Sequence, residues 1–272
     1  MKIMKIIGLI TVLSIIQPLS ANDDALSSLP DSDADFIRKN LPGVVLARVS
    51  GNKPVMTAET WFPLEAKVLR FDSPTTGEHQ MEIELSPTVR KKGGLIPPPS
   101  GAWSMTLPNG TFKYLNSSKE TGIHAPSAVS VTNGFVIKLN PPEPLVLQGL
   151  EVSKPNQKEI SVGIYDLHDT SDESYSGKVR CIWTDLGVWK VKVPMGTYDS
   201  RLIRVEYKGS IGPASINAKK YMFLAKGIGP VAFTDMRDIS AFLFFNDDTQ
   251  QAGVLKKIGA KAKVPTKASK SS

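Results

Sequence analysis

The chain has 272 residues, 41% of them hydrophobic, with 20 prolines, 21 glycines and a formal net charge of +7. That hydrophobic content supports a packed core and excludes a mainly disordered chain, and the many prolines and glycines predict frequent turns. The charge does not mark a nucleic-acid surface: two lysines fall in the first 21 residues and six follow the last acidic residue, Asp248, so the stretch between carries one more acid than base.

Residues 1–21 read as a secretory leader, with Lys2 and Lys5 as the positive end, Ile6 to Ile16 as the apolar core and Leu19-Ser20-Ala21 as the small-residue cleavage site. The core is too short for a spanning helix, which needs about 20 apolar residues. The expectation is a bacterial protein, periplasmic or secreted, whose mature chain starts near Asn22. Without a cysteine at the cleavage region it is not expected to be a lipoprotein.

Residues 22–42 form a polar segment and a short helix, with Asp31-Ser32-Asp33 as capping residues, Phe36, Ile37 and Leu41 as its apolar face, and Pro42-Gly43 as the stop. Residues 43–252 read as an all-β domain. Val44 to Val49, Lys67 to Phe71 and the alternating Met81, Ile83 and Leu85 are its first strands. Two-residue type I′ hairpins are predicted at Asn109-Gly110 and Asn133-Gly134. The first would have Trp103, Met105 and Leu107 on one arm and Phe112 and Tyr114 on the other; the second runs from Ala128 to Leu139. Pro97-Pro98-Pro99 and Pro141-Pro142-Glu143-Pro144 read as loops or connectors, the latter a candidate subdomain division near 140–145. Further strands are read at 145–152, 160–164, 179–183, 189–193, 203–207 and 221–224, while Ile239 to Phe245 fits a strand or a short helix. The predicted class is all-β, a curved antiparallel sheet or open half-barrel, with a short N-terminal helix and a flexible basic C-terminal tail over 253–272.

The usual catalytic constellations are missing: no Gly-x-Ser-x-Gly, His-Glu-x-x-His, phosphate loop or Cys-x-x-Cys is present. Gly227-Ile228-Gly229-Pro230-Val231-Ala232 imitates a dinucleotide fingerprint, but Pro230 and Val231 read as a turn entering a strand where the motif needs a helix. Asp166, His168 and either Asp169 or Asp172 could be drawn as a metal site, yet Asp, Ser and Thr between strands are ordinary turn chemistry. Cys181, sharing a strand face with Val179 and Trp183, reads as a buried, inert thiol. No catalytic residue, metal site or cofactor is assigned.

Val191-Lys192-Val193-Pro194-Met195-Gly196-Thr197-Tyr198, with Tyr221-Met222-Phe223-Leu224-Ala225-Lys226-Gly227-Ile228-Gly229-Pro230-Val231 after it, resembles a group of uncharacterised exported bacterial β-domains. Members carry a Val-Pro-x-Gly-Thr-Tyr/Phe turn and a strand ending in Gly-Ile/Val-Gly-x-Val, and their curved sheet looks like that of the LolA and LolB lipoprotein carriers. Trp61-Phe62-Pro63-Leu64 is similar to the Phe-Pro-Leu element opening many such domains, although their usual Gly and Trp after it are absent here. The resemblance covers mainly the second half. It implies a fold and no catalytic residue.

These readings lead to an expected non-enzymatic envelope protein that binds a lipid or acyl chain, or an envelope partner, on a concave sheet. Candidate ligand-binding residues are Trp183, Trp189, Val191, Val193, Ile203 and Val205. The alternative is a structural or interaction module with a packed core; a hydrolase of envelope polymers comes third. Lys256, Lys257, Lys261 and Lys263 in the tail are candidates for contact with an anionic membrane surface. No nucleic-acid partner is expected.

Overall fold

The computed structural model describes residues 23–51, 56–88, 102–107, 110–241 and 245–260. The leader and the tail beyond residue 260, with Lys261 and Lys263, lie outside the described residues. A 3-10 turn (Asp23–Leu26) and helix α1 (Asp31–Asn40) come first, then β1 (Val45–Arg48), helix α2 (Ala58–Trp61), β2 (Lys67–Asp72), β3 (His79–Pro87), β4 (Trp103–Thr106), β5 (Thr111–Ser118) and β6 (Gly122–Ser130). The longer strands follow: β7 (Phe135–Leu147), β8 (Asn156–Asp166), β9 (Glu173–Val193), β10 (Gly196–Ile211), β11 (Ala214–Ala225), β12 (Gly229–Ala241) and β13 (Phe245–Gly259).

All thirteen strands belong to one sheet. From β2 to β13 each pairs antiparallel with the next in sequence, and β13 returns to pair with β2, so β2 to β13 close a twelve-stranded ring with β1 added at the far end of β9. The predicted all-β class holds, and the curved sheet continues into a closed barrel. Closure satisfies the edges that an open sheet would expose.

Several boundaries differ from those read in the sequence. The two strands expected at 179–183 and 189–193 are one strand, β9, joined across Asp185-Leu186-Gly187. A bulge accounts for this: Arg201 pairs with Val188 while Ile203 pairs with Asp185, and Asp185 Oδ1 accepts the Gly187 N–H at 2.8 Å. The proline run does not divide the chain, because Pro141 to Pro144 lie inside β7. There the β6 ladder jumps from the Ser127–Lys138 pair to the Ala125–Glu143 pair, and Pro141 and Pro142 occupy that bulge, where no ladder donor is required, while Pro144 pairs with His124 just beyond it.

The Asn133-Gly134 hairpin forms with a longer loop than expected. Ser130 pairs with Phe135 around a four-residue loop whose only positive φ is that of Gly134, +68°, so the turn is not type I′. At the first hairpin Asn109 lies outside the described residues, and the arms before and after it are joined by the Leu107 N–H donating to the Thr111 carbonyl. Its side chains also sort differently: Met105 pairs with Lys113 and Trp103 with Leu115. Phe112 and Tyr114 therefore face the other side, in a small cluster with Val129, Val136, Tyr165 and Leu167.

The tail starts later than expected. Gly253 to Gly259 are the end of β13, paired with β12 and β2, so the boundary at 252/253 and the amphipathic turn through Leu255 and Ile258 are replaced by strand. Leu255 is fully buried against the row that includes Phe71. Such burial contributes about 1.5–3 kcal/mol per large apolar side chain and outweighs the local lysine density.

Helix α1 spans nearly the predicted residues, with Asp31 and Asp33 in its first turn and Arg38 and Lys39 in its last, matching the helix dipole. Pro30 rather than a side-chain cap precedes it. The helix packs on the outer face of β9 to β11: Asp33 accepts from Tyr221 at 2.6 Å and pairs with Arg204 at 2.5 Å, and Phe36 stacks on Tyr221 at 5.5 Å.

Candidate functional site

The six apolar candidates do not share one face. Val205 pairs with Trp183 and Ile203 follows two residues along, so these three point into the barrel; Trp189 pairs with Ser200 beyond the bulge, and Trp189, Val191 and Val193 turn to the opposite side. The extra residue in β9 at Asp185-Leu186-Gly187 shifts the alternation by one position. All six are at most 5% exposed and belong to one continuous core.

Cross-strand register defines the lumen in layers. At one end the Arg201 guanidinium meets Asp185 at 2.6 Å, both fully buried, and lies 5.6 Å from the Trp61 ring of α2, which the sequence did not reveal as a helix. The next layer is apolar, with Ile203, Met222 and Phe233 in adjacent register. Below it one row runs Trp183, Val205, Lys220, Asp235 and Gln251, and the next runs Cys181, Tyr207, Ala218, Arg237 and Thr249.

Polar groups from three non-adjacent strands converge at these two rows. Lys113 Nζ on β5 lies 2.6 Å from Glu143 Oε2 on β7, and Tyr207 on β10 donates to Glu143 Oε1 at 2.9 Å. Burial pushes the Glu143 carboxyl up, but the Lys113 charge and hydrogen bond, with the Tyr207 hydrogen bond, outweigh it and hold the group below its ordinary value. The Tyr207 phenol is pushed well up, by burial first and then by the Glu143 charge. Burial pulls the Lys220 ammonium down, with Asp235 opposing.

The charged rows are packed less completely than the residues beside them. Lys113 and Glu143 side chains retain 23% and 13% of their exposure, and Tyr207, Lys220, Arg237 and Thr249 are half-buried, while Trp183, Cys181 and Val205 one step away are about fully buried. Hydrogen bonding is incomplete there: Trp183 Nε1, Asp235 Oδ1 and Thr249 Oγ1 are buried without a partner, and Lys220 has no ion pair among the described residues. Among the described residues Asp235 Oδ2 is paired with Arg237, at 3.5 Å.

A groove borders the barrel wall on the outside. β13 pairs with β2 only over Val254 to Gly259, so among the described strands none pairs with that edge of β13 before Val254. An open groove of about 240 Å³ lies there, lined by Ser73, Thr75, Gln80, Gln250 and Gln251, the last directly across from Asp235.

Other sequence candidates resolve into structural roles. Asp166 Oδ1 accepts the N–H groups of His168 and Asp169, and Asp169 accepts from Ser171, so the His168 stretch is a turn between β8 and β9. No metal-type cluster occurs among the described residues. Gly227-Ile228-Gly229 is the β11–β12 turn, as its residues indicated. Cys181 is buried, its thiol pushed up to about 12 by burial and then by the Glu143 charge. Of the tail candidates, Lys256 pairs with Asp72 at 2.7 Å and Lys257 is exposed on β13.

Geometrically the molecule is a closed antiparallel barrel with an apolar layer in its lumen and a half-buried charged layer next to it. No protein-family model matches the chain and no curated protein matches it. Two solved structures do. One, from Bacteroides fragilis, is provisionally named an exported protein with a YmcC-like fold and matches with a TM-score of 0.35 and 10% identity over 72% of this chain and 96% of that one. The other, from Parabacteroides distasonis, is provisionally named a lipoprotein and matches with a TM-score of 0.33 and 12% identity over 76% and 100%.

Proposed function

We propose that the chain is an exported, non-catalytic envelope protein that binds a small polar ligand inside its barrel. The observation carrying this reading is the charged layer of Lys113, Glu143, Tyr207, Lys220 and Asp235, whose polar atoms are left partly unpartnered. Buried polar groups without partners cost roughly 1–3 kcal/mol each, and a ligand that satisfies them removes that cost. Export rests on the leader pattern of residues 1–21.

An acyl chain is less well supported as the ligand. Trp183, Trp189, Val191, Val193, Ile203 and Val205 are filled in by their neighbours, and a lipid tail would have to displace packed side chains. The second reading, an interaction module with a closed core, is favoured by the completeness of packing around Arg201, Trp61 and Trp183. Native mass spectrometry of protein purified from producing cells without detergent separates the readings. The proposal expects a mature mass, beginning near Asn22, with a small polar adduct; a retained lipid would support the acyl-chain reading, and a bare chain that takes up no polar solute would support the module.

A further inference from the structure

Among the charged groups of the lumen, Lys113 is held by Glu143 at 2.6 Å and Arg237 lies 3.5 Å from Asp235. Lys220 sits between them, paired in register with Val205 on one side and Asp235 on the other, and makes no ion pair among the described residues. An ammonium in such a place gains most from an anion. Next to it the Asp235 Oδ1 atom is buried with no donor, so the same molecule should also carry a hydroxyl or amino hydrogen. Trp183 Nε1 and Thr249 Oγ1 are buried and unpartnered in the same two rows.

We propose that the lumen holds a small hydroxylated or aminated organic anion, its carboxylate or phosphate on Lys220 and its hydroxyl or amino hydrogen on Asp235 Oδ1. The inference rests on the reading of the lumen as a binding site and adds the chemical class. The outer groove beside β13 is lined in part by Gln251, the register partner of Asp235.

Calorimetric titration and thermal unfolding at low salt with glycerate, glycerol 3-phosphate and glycerol test it. Saturable binding of glycerate or glycerol 3-phosphate is expected, the stronger of the two identifying carboxylate or phosphate, with none for glycerol. Lys220→Met should weaken that binding about tenfold or more, the loss of one charge-assisted hydrogen bond, and Lys208→Met on the exposed end of β10 should not. Binding of glycerol but of neither anion would overturn the anion class and leave the lumen reading standing; binding of none would overturn both. Should Lys220→Met fail to fold, acylation of wild-type lysines read by mass spectrometry replaces it. Either anion should then slow modification of Lys220 relative to Lys208, and equal rates with and without anion would overturn the assignment.

Discussion

Tyr207 on β10 donates its phenolic hydrogen to Glu143 on β7 at 2.9 Å, although β8 and β9 stand between them in the sheet. The bond crosses the lumen and ties two walls that share no ladder. Tyr207→Phe should therefore lower stability by about 1–2 kcal/mol, and Lys113→Met by about 3–5 kcal/mol, because the latter strands a buried carboxylate. Urea denaturation checks both. Equal, negligible shifts would mean that the cluster does not couple the walls.

The same cluster gives a pH signature. The folded Glu143 value lies below the unfolded carboxylate value of about 4.3, so its contribution is fully present above that pH and is lost as pH falls through the depressed folded value. In Lys113→Met, burial is opposed by Tyr207 and the more distant Lys220 alone, and the folded value moves up. The acid-range slope of stability against pH should then shrink or reverse, which denaturation midpoints across the acid range would show; an unchanged slope would contradict the pairing.

Asp33 fastens α1 to the barrel from outside. Its carboxylate, 1% exposed, takes Tyr221 and Arg204 together, with Lys219 at 3.6 Å. Asp33→Ala should cost about 3–5 kcal/mol and free the helix before the barrel unfolds. Limited proteolysis should then release the first 40 or so residues from the variant and leave the wild type intact.

Cys181 should be silent. With its thiol raised to about 12 and its side chain buried, an aromatic disulfide reagent near neutral pH should modify it only after unfolding. Rapid stoichiometric labelling of native protein would contradict the packing around it.

Gly134 has φ +68° and open space where a Cβ would lie, so Gly134→Val tests backbone conformation alone. The expected cost is about 1–2 kcal/mol from the left-handed region. An unchanged denaturation midpoint would remove the argument for that loop.

Alternation made most of the walls legible: Met81, Ile83 and Leu85, or Val179, Cys181 and Trp183, face the core as their spacing implies. What alternation cannot show is a bulge. One extra residue at Asp185 to Val188 sent Trp189, Val191 and Val193 to the opposite side from Trp183, and the Asp-Leu-Gly triplet was its only local sign. The charged layer was hidden for a related reason. Lys113, Glu143, Tyr207, Lys220 and Asp235 come from five strands and resemble surface charges singly; only ring closure brings them together. Strand β13 was missed because its polar first half resembles a loop, and its burial depends on partners at both ends of the chain.

Cysteine accessibility at two depths of the lumen tests the central claim most directly. In a Cys181→Ala background, Ala218→Cys places a thiol between Tyr207 and Arg237 in the half-buried charged rows, and Ile203→Cys places one beside Met222 in the apolar layer. The account predicts rapid labelling by a charged, water-soluble thiol reagent at 218 and protection at 203. Protection at both positions would contradict it and make the barrel a closed structural module.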